Sequence, residues 1–402
     1  MTVKHPGLCW TNVYYSAEPL LRTTNAPNNS PQVKIALDTS FLDRPPSGIG
    51  AYVFSLKTWL PIVAPGLELA EIHPGPDWSL NRLGTRGARF AWEYAGAGIA
   101  ARKARVELLH MPMMATPLIS RMPVVATIHD VIPFVMPEYR TSRAQQVNLA
   151  VARRAIRRAA AIIAVSHHAA EDIAAVLGIP RDRIWVTYEA ADDRYVPITT
   201  RDSISALLER SGIRGPYIFN IGGVDVRKNL PVLIRAFHEI LPDIPKAIQL
   251  VIGGAPHSEN RTVFPPLTPL IRELGLDARI VLTGRVSEED KLGLMQGATV
   301  YVTPSLYEGF GLSALEAMAC GIPVVATNRT SFPEIVGDAG LLTEPRVQEV
   351  AEAMRTVLTN EELRVDLAHR GVDRARQFHW RKTAEETVEV YRHVLSRTER
   401  QS

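Results

Sequence analysis

Short, nearly unbroken apolar runs alternate with helix-length segments along this chain, and the alternation begins a second time. Val33-Lys34-Ile35-Ala36-Leu37, Val106 to His110, Pro123 to Thr127 and Ala161 to Val165 read as strands. Gly50 to about Leu60 and Thr141 to Arg158 read as helices between them. After a polar stretch from Thr199 to Gly215 come Tyr217 to Ile221, Ile248 to Ile252, Arg279 to Leu282, Thr299 to Val302 and Pro323 to Thr327. Strands apolar on both faces are buried on both faces, which means parallel sheets covered by helices. The pattern predicts an α/β chain with two doubly wound, Rossmann-like domains facing a cleft. A ligand is expected at the carboxyl ends of the strands. The predicted divisions are a leader at 1–32, a first domain at 33–210, a second at 211–375 and a terminal amphipathic helix within 376–402.

At 402 residues the chain suits two or three domains. A net charge of +3 excludes a strong nucleic-acid footprint. The charge is uneven: residues 1–200 carry 21 Lys and Arg against 16 Asp and Glu, so this half has the charge to face an anionic surface. The two cysteines, Cys9 and Cys320, form neither a disulfide framework nor a metal-site spacing, which suits a reducing cytoplasm. Met1 to Pro6 lacks the apolar core of a signal peptide, and no apolar run reaches about 18 residues. The expectation is a cytoplasmic protein, peripheral to a membrane at most.

The densest motif is Pro304-Ser305-Leu306-Tyr307-Glu308-Gly309-Phe310-Gly311-Leu312-Ser313-Ala314-Leu315-Glu316. A strand leads in and a helix leads out. Glu308 therefore falls in a loop at a strand's carboxyl end, and Glu316 falls inside the helix. Unpaired N–H groups and the positive end of that helix favour an anion. Two acids beside such a site suit a ligand with both phosphate and hydroxyls, as in a nucleotide sugar. Together with Gly321-Ile322-Pro323-Val324-Val325-Ala326, this segment resembles the E-x7-E motif of the retaining glycosyltransferases of family GT4, whose fold is called GT-B. The resemblance spans roughly residues 33–395. It implies that Glu316 takes the ribose hydroxyls and that Glu308 contacts the sugar ring or braces the phosphate site. It also implies that backbone N–H groups of Phe310, Gly311 and Leu312 meet the sugar or β-phosphate. Arg285 and Val286, in Thr283-Gly284-Arg285-Val286, would lie beside the nucleobase. A Trp-led terminal helix crossing back onto the first domain is implied too.

A second motif is Asn220-Ile221-Gly222-Gly223-Val224-Asp225-Val226-Arg227-Lys228-Asn229. Gly222 and Gly223 let backbone approach a pyrophosphate. Lys228 supplies a point charge and Arg227 a planar fork. Cations at a helix start oppose its dipole, so this pair needs another reason to be there. Many members of the family carry Arg where Gly223 stands, so Arg227 is expected to take over that contact. In the first half, Arg44-Pro45-Pro46-Ser47-Gly48-Ile49-Gly50 is a turn into a helix; the resemblance implies that this loop closes over the phosphates and the acceptor, with Gly50 permitting close approach, and a plain strand–helix turn is the alternative. Ala51 replaces an Arg common among relatives. Thr127-Ile128-His129-Asp130 resembles the family's His-Asp element. His129 would bond the donor sugar and orient the acceptor, and Asp130 is a candidate for fixing the imidazole tautomer. Ser166 is either a helix cap or a site residue. Glu189 either reaches the cleft or lies in a solvated loop.

No Asp-x-Asp occurs, so no metal site is expected. His129, Glu308, Lys228 and Arg227 are the expected catalytic set. The donor is the only small molecule implied, and GDP-mannose is favoured by likeness to bacterial mannosyltransferases of polysaccharide assembly. A UDP-sugar donor, a GT-B phosphorylase or epimerase, and a non-catalytic GT-B binding protein are the alternatives. Arg153, Arg154, Arg157 and Arg158 fall on one helix face, suited to a polyprenyl-diphosphate acceptor, a membrane surface or plain solvent.

Overall fold

The computed structural model describes residues 33–44, 47–75, 84–140, 142–198, 200–256 and 258–400. The predicted leader and Cys9 lie outside the described residues. The first half holds strands β1 (Val33–Asp38), β2 (Leu67–Ile72), β3 (Leu108–Met111), β4 (Val124–Ile128), β5 (Ala161–Ala164) and β6 (Ile184–Val186). They pair in parallel in the order β2-β1-β3-β4-β5-β6. The second half holds β7 (Tyr217–Ile221), β8 (Gln249–Gly253), β9 (Ile280–Gly284), β10 (Val300–Thr303), β11 (Val324–Thr327) and β12 (Leu341–Thr343). Their order is β12-β11-β10-β7-β8-β9, again all parallel. This is the expected GT-B architecture. Strands β3, β4, β5, β7, β10 and β11 are buried at every residue, as their apolar runs require.

Several elements differ from expectation at their ends. The third strand starts at Leu108, and Val106 N–H instead donates to the Ala101 carbonyl at 3.4 Å. The helix expected over 141–158 spans Arg143–Ile156, starting where Ser142 Oγ accepts Gln145 N–H. The polar stretch before β7 contains a short helix, Ser205–Arg210. It packs Leu207 against Gly293, where a Cβ would meet the Leu207 side chain at 2.6 Å.

The terminal helix runs Trp380–Glu399 and crosses back onto the first half. Its apolar side buries Ala384, Val388, Val390, Tyr391 and Val394. Two polar contacts fix its register. Tyr391 Oη sits 2.6 Å from His110 Nδ1 on β3, and Thr383 Oγ1 donates to the Tyr188 carbonyl at 2.6 Å. His110 Nε2 in turn meets Thr127 Oγ1 at 2.8 Å, and Thr127 meets Tyr52 Oη at 2.7 Å. These fully buried polar groups therefore satisfy one another.

Candidate active site

Strand order in the second sheet reverses between β7 and β10, and a crevice opens at the carboxyl ends of such a pair. The loop after β7 begins with Gly222, at φ +145°. A Cβ there would fall 2.7 Å from the Lys228 side chain, so only glycine lets the lysine lie across it. Asp225 caps the following turn by accepting Arg227 N–H at 3.1 Å, which sets Arg227 and Lys228 side by side. The loop after β10 joins this turn through Leu306 N–H, which donates to the Arg227 carbonyl at 2.8 Å.

Glu308 closes the arrangement. Its Oε1 accepts Lys228 Nζ at 2.7 Å and Ser305 Oγ at 2.9 Å, and its Oε2 accepts Arg227. Burial works to raise the Glu308 pKa, but Arg227 and Lys228 outweigh it and hold it at about 2. Both carboxylate oxygens are thus occupied by the basic pair. Ser331 Oγ pins the loop through the carbonyls of Glu308 and Phe310, at 3.1 and 2.7 Å. The Phe310 ring packs into the core beside Phe378, which leaves only its backbone available to a ligand.

Gly311, at φ +97°, starts the helix Leu312–Ala319, and no side chain caps it. Glu316, one turn on, is buried. Its Oε1 accepts Lys291 Nζ at 2.7 Å, while its Oε2 is buried with no partner. Burial alone would lower the Lys291 pKa, but nearby charge, Glu316 above all, holds it well above its ordinary value. Gly222, Gly223, Arg285, Val286, Leu312 and Glu316 line one cavity of about 360 Å³. Its other walls bring in Ser47, Gly48, Ala51, Arg194, Tyr195 and Trp380. Gly50 stands behind this wall, buried, with its N–H given to Ser47 Oγ at 3.2 Å.

The two halves touch where the acidic loop meets the end of β4. A Cβ on Gly309 would fall 1.7 Å from the His129 carbonyl oxygen. Ser166, which caps the helix His167–Leu177, also donates to the Gly309 carbonyl at 2.6 Å, so it is both cap and bridge. Asp130 does not hold His129. Its Oδ1 accepts Ile132 N–H at 3.1 Å, because the chain turns back there into a short helix. Glu189 holds the ring instead, with Oε1 2.8 Å from His129 Nδ1.

The four arginines of the helix Arg143–Ile156 and its end line a separate groove of about 950 Å³, with Arg140, Phe134 and Leu149. Arg157 Nε donates to the Leu177 carbonyl at 2.7 Å and Arg158 to the Leu118 carbonyl at 2.6 Å. The basic face is therefore the rim of a concavity.

Residues 62–195 match the family described as Glycosyltransferase Family 4, and residues 209–374 match Glycosyl transferases group 1. The O-antigen chain mannosyltransferase B of Escherichia coli is 30% identical over 269 residues, covering 67% of this chain and 70% of that protein. This chain belongs to glycosyltransferase family 4. The serotype-specific mannosyltransferase WbdA of Escherichia coli is 26% identical over 275 residues, covering 67% of this chain but only 33% of that protein. Among solved structures, Anabaena Alr3699/HepE in complex with UDP-glucose superimposes with a TM-score of 0.70 at 21% identity, covering 90% of this chain and 99% of that one. No helix among the described residues is long and apolar enough to cross a membrane.

Sequence reasoning missed Lys291. It sits in Glu288-Glu289-Asp290-Lys291, a run that reads as a solvated surface helix, and the only cue was a buried Glu316 needing a cation. Gly254 was missed as well. A Cβ there would fall 1.9 Å from the Gly222 carbonyl oxygen, so the cavity wall depends on its being glycine.

Proposed function

We propose that the protein is a retaining α-mannosyltransferase. It transfers mannose from GDP-mannose to a hydroxyl of a glycan or polyprenyl-linked acceptor in cell-surface polysaccharide assembly. The mannosyltransferase names of its relatives support the donor sugar. One observation carries the reaction class: at the β7–β10 switch point, a cation pair held by Glu308, two glycines and an uncapped helix start lie together, and the same helix carries a buried carboxylate oxygen that has no partner.

The departing diphosphate gathers negative charge as the glycosidic bond breaks. Lys228, Arg227 and the N–H groups at the start of the Leu312–Ala319 helix neutralise it with fixed charge. Glu308 keeps both cations aimed and needs no contact with the sugar. Glu316 Oε2 accepts ribose hydroxyls, and Arg285 and Val286 flank the base. His129 bonds a sugar hydroxyl. The acceptor attacks the face the diphosphate leaves, and a phosphate oxygen takes its proton, so no protein base and no divalent ion are required. An acceptor carrying phosphate would place it in the arginine groove, where Arg140, Arg153 and Arg154 supply charge beside the apolar Phe134 and Leu149.

The test is a melting-temperature panel of nucleotide sugars, followed by analysis of product anomers. GDP-mannose should raise the melting temperature and GMP should not, and the product should be α-linked. A β-linked product, or no shift with any nucleoside diphosphate sugar, sinks the reading.

A further inference from the structure

His129 follows β4, Ser166 follows β5 and Glu189 lies three residues past β6, so adjacent parallel strands deliver all three to the carboxyl end of the first sheet. Glu189 is buried, with 4% of its surface exposed, and its Oε1 lies 2.8 Å from His129 Nδ1. His129 Nε2 is also buried, and it has no partner. We infer that Glu189 is the positioning residue that sets the tautomer of His129, keeping Nε2 as a bare acceptor for a substrate hydroxyl. This rests on the glycosyl-transfer reading and adds to it the atom that receives the hydroxyl.

The chemistry follows from what each group can offer. An ionised carboxylate has only lone pairs, so Nδ1 must carry the hydrogen in this contact. A neutral imidazole protonated at Nδ1 has its lone pair at Nε2. That nitrogen can then only accept. Burying an acceptor unpaired is unfavourable, and a donating sugar hydroxyl removes the cost.

Both partners are held in place. The Tyr52 ring meets the imidazole edge to face at 4.9 Å and 86°. Tyr188, next to Glu189, is fixed twice: its carbonyl accepts Thr383 Oγ1 of the terminal helix, and its hydroxyl donates to Glu334 of the second half at 3.2 Å. The terminal helix and the second half therefore both support the carboxylate that orients the histidine. Sequence alone pointed to Asp130, but adjacency puts that carboxylate on its own backbone.

The test reads the tautomer directly, by nitrogen NMR of histidine-labelled, substrate-free protein, with His129 assigned through His129→Gln. The wild type should show a pyrrole-like Nδ1 and a pyridine-like Nε2. Glu189→Ala should give mixed tautomers and lower kcat with GDP-mannose about 10- to 100-fold, the scale for losing a partner that orients a functional imidazole. Its affinity for GDP should not change, because Lys228 and Arg227 are untouched. Glu189→Gln, whose amide oxygen still accepts from Nδ1–H, should restore the spectrum and most of kcat. A wild-type spectrum with hydrogen on Nε2 overturns the inference. So does a Glu189→Ala protein with unchanged spectrum and kcat. If Glu189→Ala fails to fold, the wild-type spectrum alone decides. Absence of turnover with GDP-mannose in the wild type would count against the donor, not against this assignment, since the spectrum needs no substrate.

Discussion

Lys228 Nζ lies 2.7 Å from Glu308 Oε1, so a buried ammonium from the loop after β7 meets a largely covered carboxylate from the loop after β10. Arg227 takes the other oxygen. The pKa of Glu308 falls from an ordinary 4.5 to about 2, with burial opposing the shift and the two cations prevailing. A carboxyl whose folded pKa is depressed adds stability above its unfolded pKa and loses it as pH falls through the folded one. The contribution should be complete above pH 4.5 and vanish near pH 2. Its size is on the order of 3 kcal/mol from the size of the shift. Denaturant titrations of wild type and Glu308→Gln should differ by that much near neutrality and converge in acid. A difference that does not vary with pH would contradict the pairing.

The proposed neutralisation of a leaving diphosphate by fixed cations makes its own prediction. Lys228→Ala should lower kcat/KM about 100-fold, or about 3 kcal/mol of barrier, the scale for one preorganised donor. Wild-type turnover should survive a chelator. Initial rates with and without chelator, and with the variant, check both points. Turnover lost on chelation, or retained by Lys228→Ala, would move the charge stabilisation elsewhere.

Largely covered Lys291 and buried Glu316 form an ion pair that lines the cavity. Removing one partner of such a pair leaves an uncompensated charge, which costs about 3–5 kcal/mol. Lys291→Met should destabilise the protein by that amount and weaken GDP binding, because Glu316 then cannot stay ionised to meet the ribose. Lys291→Met combined with Glu316→Gln should recover most of the stability and none of the binding. Chemical denaturation and calorimetry separate the two effects. Equal stability for the single and double variants would show that the pair is not coupled.

What the sequence made legible follows burial. Strands with apolar residues on both faces, such as β4 and β10, stood out. The strands that escaped notice, β2, β6 and β12, are all sheet edges. Leu67-Glu68-Leu69-Ala70-Glu71-Ile72 is interrupted by two exposed glutamates, and β6 and β12 have only three residues each. The glycine-rich and acidic loops of the candidate site were legible for a similar reason: Gly222, Lys228 and Glu308 stand in short, distinctive loop motifs, and Glu316 in the helix that follows one of them. The partners that tune them were not. Glu189 lies 60 residues from His129 and Lys291 lies 25 from Glu316, and only the folded chain brings them together.

Gly309 joins the two halves of the site and gives the last prediction. A methyl group there cannot fit, because its carbon would stand 1.7 Å from the His129 carbonyl oxygen, which is backbone and cannot swing aside. Gly309→Ala must push the acidic loop away from the end of β4. The bond from Ser166 to the Gly309 carbonyl and the 2.6 Å bond from Tyr307 Oη to Asp172 both cross this junction, and both would lengthen. Lys228, Arg227, Glu308 and Glu316 all belong to the second half and keep their mutual geometry. The variant should therefore bind GDP with near wild-type affinity yet lose at least about 100-fold in kcat, since a displacement of about 1 Å between reacting groups costs that much. Calorimetry with GDP and turnover with GDP-mannose measure the two sides. Small-angle scattering of the GDP-bound variant should show a larger radius of gyration than that of the wild type. A Gly309→Ala protein with wild-type kcat would mean that His129 and the acidic loop do not act as one site.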